Sequence, residues 1–146
     1  MKEQEIQHKR TTYFWKGFCY RCFRTIEYPL LGDFSYGEHI YQTIDGQDFF
    51  IATLLDNEVV EQMKEVLKGK EYKYGDILTQ LADKPNGIPL TSKPRCPKCR
   101  RKLWITPVDN VKTSERDLGF VTWTEFLTKH KDEREDLIKT AYKKSV

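Results

Sequence analysis

No stretch of this 146-residue chain approaches the ~20 consecutive apolar residues that a membrane-spanning helix needs, so no membrane association is expected. The first ten residues, Met1 to Arg10 (MKEQEIQHKR), are charged from the start and hold no apolar segment of the kind that opens a secretory signal. A cytoplasmic setting, where thiols stay reduced, is therefore expected. Motifs of catalysis are also missing: there is no Gly-rich phosphate loop, no G-x-S-x-G and no H-E-x-x-H. Only three histidines occur, His8, His39 and His130, far apart in sequence. Glu38 and His39 could approach Asp48 across a hairpin, but adjacent strand residues point to opposite faces, so Glu38 and His39 do not share one. No enzymatic activity is expected.

Cysteine is scarce as well, and its placement is the most informative feature of the chain. All four cysteines fall in two C-x2-C turns, Cys19-Tyr20-Arg21-Cys22 and Cys96-Pro97-Lys98-Cys99. Each such turn aims two thiols at one point, and two turns supply the four soft ligands that tetrahedral Zn2+ prefers. Four thiolates bind iron as well. A redox dithiol would need one pair in a βαβ setting, whereas both pairs here sit among aromatic and β-branched residues. Two disulfides would suit a secreted protein, against the charged start. Four thiolates leave no open coordination position for water or substrate, so the expected metal holds the fold and does no chemistry. Between Cys22 and Cys96 lie 73 residues, against roughly 15–20 in the compact four-cysteine pattern, so the metal must clamp the two ends of a long insertion.

Phe18-Cys19-Tyr20-Arg21-Cys22, then Arg95-Cys96-Pro97-Lys98-Cys99 and the apolar Leu103-Trp104-Ile105, resemble the two knuckles and last strand of a zinc ribbon. The long middle, with Lys-Gly-Lys and Tyr-Gly inside a helical stretch, is similar to small bacterial zinc-ribbon proteins that carry a helical insertion between knuckles. Such knuckles commonly place Gly just after the second Cys, where this chain has Phe23 and Arg100. Zinc ribbons serve many functions, so the resemblance assigns none.

The length fits one domain over 1–146. The expected class is α+β: ribbon halves at 11–30 and 93–108, a hairpin-plus-helices insertion at 31–92, and a C-terminal helix over 122–144. Thr11 to Trp15 and Phe23 to Tyr28 read as a hairpin across the metal, ended by Pro29. Tyr13, Trp15, Phe18 and Phe23 are read as covering the site. A loop over Gly32 to Gly37 leads to His39–Ile44 and Gln47–Leu54, which flank Asp45-Gly46 and predict a second hairpin with a two-residue type I′ turn. Asp56 or Asn57 caps a helix running to Lys68 and stopped by Gly69, and a second helix starts near Gly75 and ends at Pro85-Asn86-Gly87. Val59, Val60, Met63, Val66 and Leu67 stripe the first; Ile77, Leu78, Leu81 and Ala82 stripe the second. Arg101 to Val108 is the third ribbon strand, stopped or confined to an edge by Pro107. Thr122 to Glu125 forms a capping box, stapled by Val121 and Phe126, at the start of the last helix. That helix turns Trp123, Phe126, Leu127, His130, Leu137, Ile138, Ala141 and Tyr142 to one side, interrupted at Arg134.

The net charge of +3 conceals a division. Residues 1–28 carry six Lys and Arg against three Glu, and residues 93–112 carry seven against one; residues 29–92 carry five against eleven. Charge is balanced beyond residue 112. Arg21, Arg24, Lys98, Arg100, Arg101, Lys102 and Trp104 are the candidate nucleic-acid-binding residues, joined by Lys93, Arg95, Tyr20 and Phe23. Lys and Arg beside a tetrathiolate also offset its net charge of about −2 with no partner. The acidic insertion, with Glu38, Asp45, Asp48, Asp56, Glu58, Glu61, Glu65, Glu71 and Asp76, suits a cationic protein partner, for example in an inhibitory, toxin-neutralising or phage adaptor role. A non-catalytic module binding a protein is the first expectation, and nucleic-acid binding through the basic ribbon face the second.

Overall fold

The computed structural model describes residues 7–31, 37–106 and 113–145, with the side chains of 7–15, 27–31, 105–106 and 113–117 outside that description. The loop expected over Gly32 to Tyr36, the stop at Pro107 and the packing of Tyr13 and Trp15 fall outside it. The class is α+β. β1 (Gln7–Cys19) and β2 (Arg24–Leu31) form the first hairpin, β3 (Glu38–Thr43) and β4 (Phe49–Thr53) the second. α1 (Glu58–Val66), α2 (Tyr74–Leu81), β5 (Leu90–Thr91), β6 (Trp104–Thr106), β7 (Thr113–Phe120), α3 (Thr124–Leu127) and α4 (Lys131–Ser145) follow. Among the described residues, no helix is long and apolar enough to cross a membrane.

The strands make one sheet in the order β2-β1-β7-β4-β3-β5, with β6 also on β1. β1 is long enough to serve two partners along one edge: its first half pairs with β7 from Gln7↔Gly119 to Tyr13↔Thr113, and its end pairs with β6 from Lys16↔Thr106 to Phe18↔Trp104. β7 then runs parallel to β4 (Phe50↔Gly119), so it joins the cysteine-bearing hairpin to the second one. Sequence reasoning missed β7, because Thr113-Ser114-Glu115-Arg116-Asp117 is polar and shows no apolar alternation. β2 runs through Pro29 (Phe14↔Pro29), where a stop was expected. Among the described residues β2 pairs with β1 alone, and an outermost strand tolerates a residue without an N–H.

Alternation divides the sheet's two faces between two cores. Tyr41 of β3 and Ala52 of β4 join Val59, Val60, Met63, Leu67, Ile77, Leu78, Trp123, Phe126 and Ile138 in the larger core under the helices. Phe49 packs with Leu103, Ile26 and the cysteines in a smaller one. The helix stripes are core, as expected. Asn57 caps α1 by accepting from Val59 N (2.8 Å) and Val60 N (3.3 Å). The second hairpin's turn differs from expectation. Asp45 does not adopt the positive φ that type I′ requires; four residues, Ile44 to Gln47, span the gap, closed by Thr43 N donating to Asp48 O (2.9 Å).

One long C-terminal helix was expected, and two are found. Thr122 caps nothing by itself: its hydroxyl donates to Asp83 Oδ2 (2.6 Å), and the same carboxylate accepts from Thr124 N (2.8 Å) and Glu125 N (3.1 Å). α3 is thus capped from the end of α2, and it stops after one turn, where Thr128 Oγ1 donates back to Glu125 O (2.6 Å). Arg134 takes up the freed carbonyls, donating from Nε to Lys129 O (2.9 Å) and from Nη2 to Leu127 O (2.6 Å). It also reaches α1, with Nη1 3.1 Å from Glu58 Oε2. The expected interruption of the apolar side is therefore a tie, while Leu127, His130 and Leu137 lie exposed.

Burial raises the Asp83 carboxyl, but the Thr122 hydroxyl and the Glu125 and Thr124 amides together outweigh it and hold it below its ordinary 3.8. Its stabilisation is therefore full above that value and fades as pH falls below it. Asp83→Ala should cost about 1–2 kcal/mol at pH 7, the size of a lost N-cap. Urea melts at pH 7 and pH 3 check this: the gap between the two proteins should narrow in acid.

Candidate metal centre and knuckle face

Both C-x2-C turns close in the same way. Phe23 N donates to Cys19 O (2.7 Å) and Arg100 N to Cys96 O (2.8 Å). In each turn the residue after the second cysteine is left-handed, Phe23 at φ +57° and Arg100 at φ +66°. These are the positions where glycine is common in zinc ribbons; the backbone keeps the shape and carries the strain of a side chain there. The second turn is pinned further by Cys96 N to Arg101 O (2.8 Å), Leu103 N to Pro94 O (3.0 Å) and the Arg95↔Lys102 bridge.

The result is a cluster of four sulfurs, all within 4.8 Å of one another. Cys19 Sγ and Cys99 Sγ are 3.4 Å apart, and Cys96 Sγ and Cys22 Sγ 3.9 Å. A tetrahedron built on 2.3 Å metal–sulfur bonds has edges of about 3.8 Å, so the cluster fits one ion with little movement. None of the four is in a disulfide. Cys19 and Cys96 are fully buried, Cys22 and Cys99 partly. The Cys22 N–H, 3.3 Å from Cys19 Sγ, is the largest influence drawing the Cys19 thiol down from 9.0 to about 6. Burial first, then the neighbouring thiols, push Cys22 up to about 12. A divalent soft cation would favour the thiolate form of its cysteine ligands. The arrangement is compatible with a zinc ribbon.

The chain matches no family model, no curated protein and no solved structure.

The second knuckle is built against the tip of the second hairpin. Gln42, fully buried on the face opposite the helices, donates from Nε2 to Arg95 O (3.0 Å) and Gly46 O (3.1 Å), and its Oε1 accepts from Arg95 N (2.8 Å). Gln47 Nε2 donates to Pro97 O (2.7 Å). Gly46, at φ +79°, lies so close that a Cβ there would stand 2.7 Å from Pro97 Cα and 2.9 Å from Pro97 N. Sequence reasoning found Gly46 as a turn residue and missed this contact. Asp45 completes the tip: the Thr43 hydroxyl, then the Gln47 amide, hold its carboxyl below the ordinary range, and the charge of Arg100 adds to them.

The seven candidate nucleic-acid residues separate into two groups. Arg21, Arg101, Lys102 and Trp104 line one recess beside Cys19, together with Tyr20 and Arg95. Arg24, Lys98 and Arg100 are exposed but do not line it. Tyr20 and Trp104 are 65% and 59% exposed, their ring centroids 6.1 Å apart and nearly perpendicular. Lys102 Nζ stands 5.5 Å from the Trp104 ring centre. Phe23 does not cover the four sulfurs: it is 79% exposed, with its ring edge-on to that of Phe18, centroids 5.5 Å apart.

Elsewhere, Glu38 and His39 pair with Thr53 and Ala52 at one end of the second hairpin, whereas Asp48 lies at the other. The grouping considered for catalysis is not formed. Three acidic residues of the insertion meet cations: Glu58 meets Arg134 (3.1 Å), Glu61 meets Lys64 (3.8 Å) and Asp76 meets Lys93 (3.8 Å).

Proposed function

We propose that this chain is a non-catalytic module clamped by one structural Zn2+, and that its knuckle face binds single-stranded nucleic acid. The carrying observation is the recess in which Arg21, Arg95, Arg101 and Lys102 stand around the exposed rings of Tyr20 and Trp104, with no carboxylate among the described residues that line it. Cations that track phosphates and rings on which bases stack are the two parts of single-strand recognition. A cationic protein partner for the acidic insertion, three of whose carboxylates are already paired within the chain, is the second reading.

The test is fluorescence anisotropy with single- and double-stranded DNA and RNA at rising salt. Single strands should bind more tightly than duplexes, and log K should fall with log salt by roughly 0.7 per phosphate contacted. Arg101→Ala should lower that slope by about one such step. Absence of binding to any nucleic acid at low salt overturns the reading. Native mass spectrometry should find one zinc ion per chain and no iron.

A further inference from the structure

We propose that the recess beside Cys19 holds a single nucleoside monophosphate, either free or as the phosphorylated end of a strand; the second form rests on the nucleic-acid reading above. The recess measures about 650 Å3, within the roughly 300–1,000 Å3 typical of small-molecule sites. Charge then narrows the ligand. A metal dication with four thiolates carries about −2, and Arg21, Arg95, Arg101 and Lys102 bring four positive charges to the recess wall. The metal centre accounts for half of them. The surplus matches a phosphate monoester, which carries about −1.5 to −2 at pH 7, better than an internal phosphodiester with its single charge.

Two local features agree. Arg95 Nη1 donates to Arg100 O (3.0 Å), which holds its guanidinium in place at the recess wall. Tyr20 and Trp104 meet edge to face, so the pair presents more than one ring surface to a base, and Lys102 stands over the indole.

The experiment titrates the metal-loaded protein with inorganic phosphate, AMP, and a short single strand bearing either a terminal phosphate or a terminal hydroxyl, following Trp fluorescence. AMP should bind and compete with the phosphorylated strand, and inorganic phosphate should bind far more weakly. The phosphorylated strand should bind at least tenfold tighter than its hydroxyl twin. Trp104→Ala, at an exposed position, should keep its zinc and weaken AMP roughly five- to 150-fold, the size of one lost base–aromatic stack. Equal binding of the two strands, with no competition by AMP, overturns the inference and leaves the single-strand reading standing. Binding of AMP alone supports the recess and overturns the strand reading. Binding of neither overturns both.

Discussion

Cys96→Ser is expected to abolish stoichiometric metal binding and to unfold both knuckles. Cys96 is fully buried and contacts the sulfur of the opposite turn, so the hydroxyl left in its place can neither ligate as a thiolate nor reach water. Apparent binding energies of structural zinc run to about 10–16 kcal/mol, and because metal binding and folding share one free energy, losing a ligand should remove several kcal/mol of it. Zinc content and thermal melting check this, with Lys98→Ala as an exposed neighbour that should melt like the parent. A variant that keeps its zinc and its melting point sinks the assignment. Acid should act in the same direction. Protons compete with the metal for every thiolate.

Gly46→Ala should be nearly as damaging, although Gly46 binds no metal. Two costs combine: a left-handed backbone at φ +79°, worth about 1–2 kcal/mol for a residue with a Cβ, and a clash with the Pro97 backbone, for which overpacking of about 1–3 kcal/mol is typical. Gly69→Ala is the control, because Gly69 has φ +84° and a Cβ added there would meet nothing within 4 Å. The control should show the first cost alone. The excess seen at Gly46 in urea melts, with a matching fall in zinc affinity, measures how firmly the hairpin tip holds the second knuckle. Equal losses at the two glycines would mean that the tip and the knuckle are independent.

The pairing of thiols within each turn was legible in the sequence because C-x2-C spacing is a covalent constraint that needs nothing from elsewhere in the chain; the structure brings the two pairs together. The helix stripes and the Asn57 cap were legible for the same reason: 3.6-residue periodicity and an N-cap act within a dozen residues. What escaped depends on distant partners. β7 has a polar sequence and owes its place to pairing with β1 and β4 on either side. α3 is capped by Asp83, 39 residues upstream of Thr122, and the break that follows carries neither Gly nor Pro but is held by Arg134. Asp45-Gly46 reads locally as a tight turn, but contact with Pro97 and the hydrogen bonds of Gln42 select a wider one. The recess needed three dimensions as well, since its walls come from residues 19–21 and 95–104.

The Pro29 within β2 has one further consequence. An outermost strand offers a row of unused amides along which a second copy of the chain could zip, the usual beginning of aggregation in open sheets. Among the described residues β2 pairs with β1 alone, yet it carries a residue with no amide hydrogen and lies close to β3. Both features work against a second copy lining up along it.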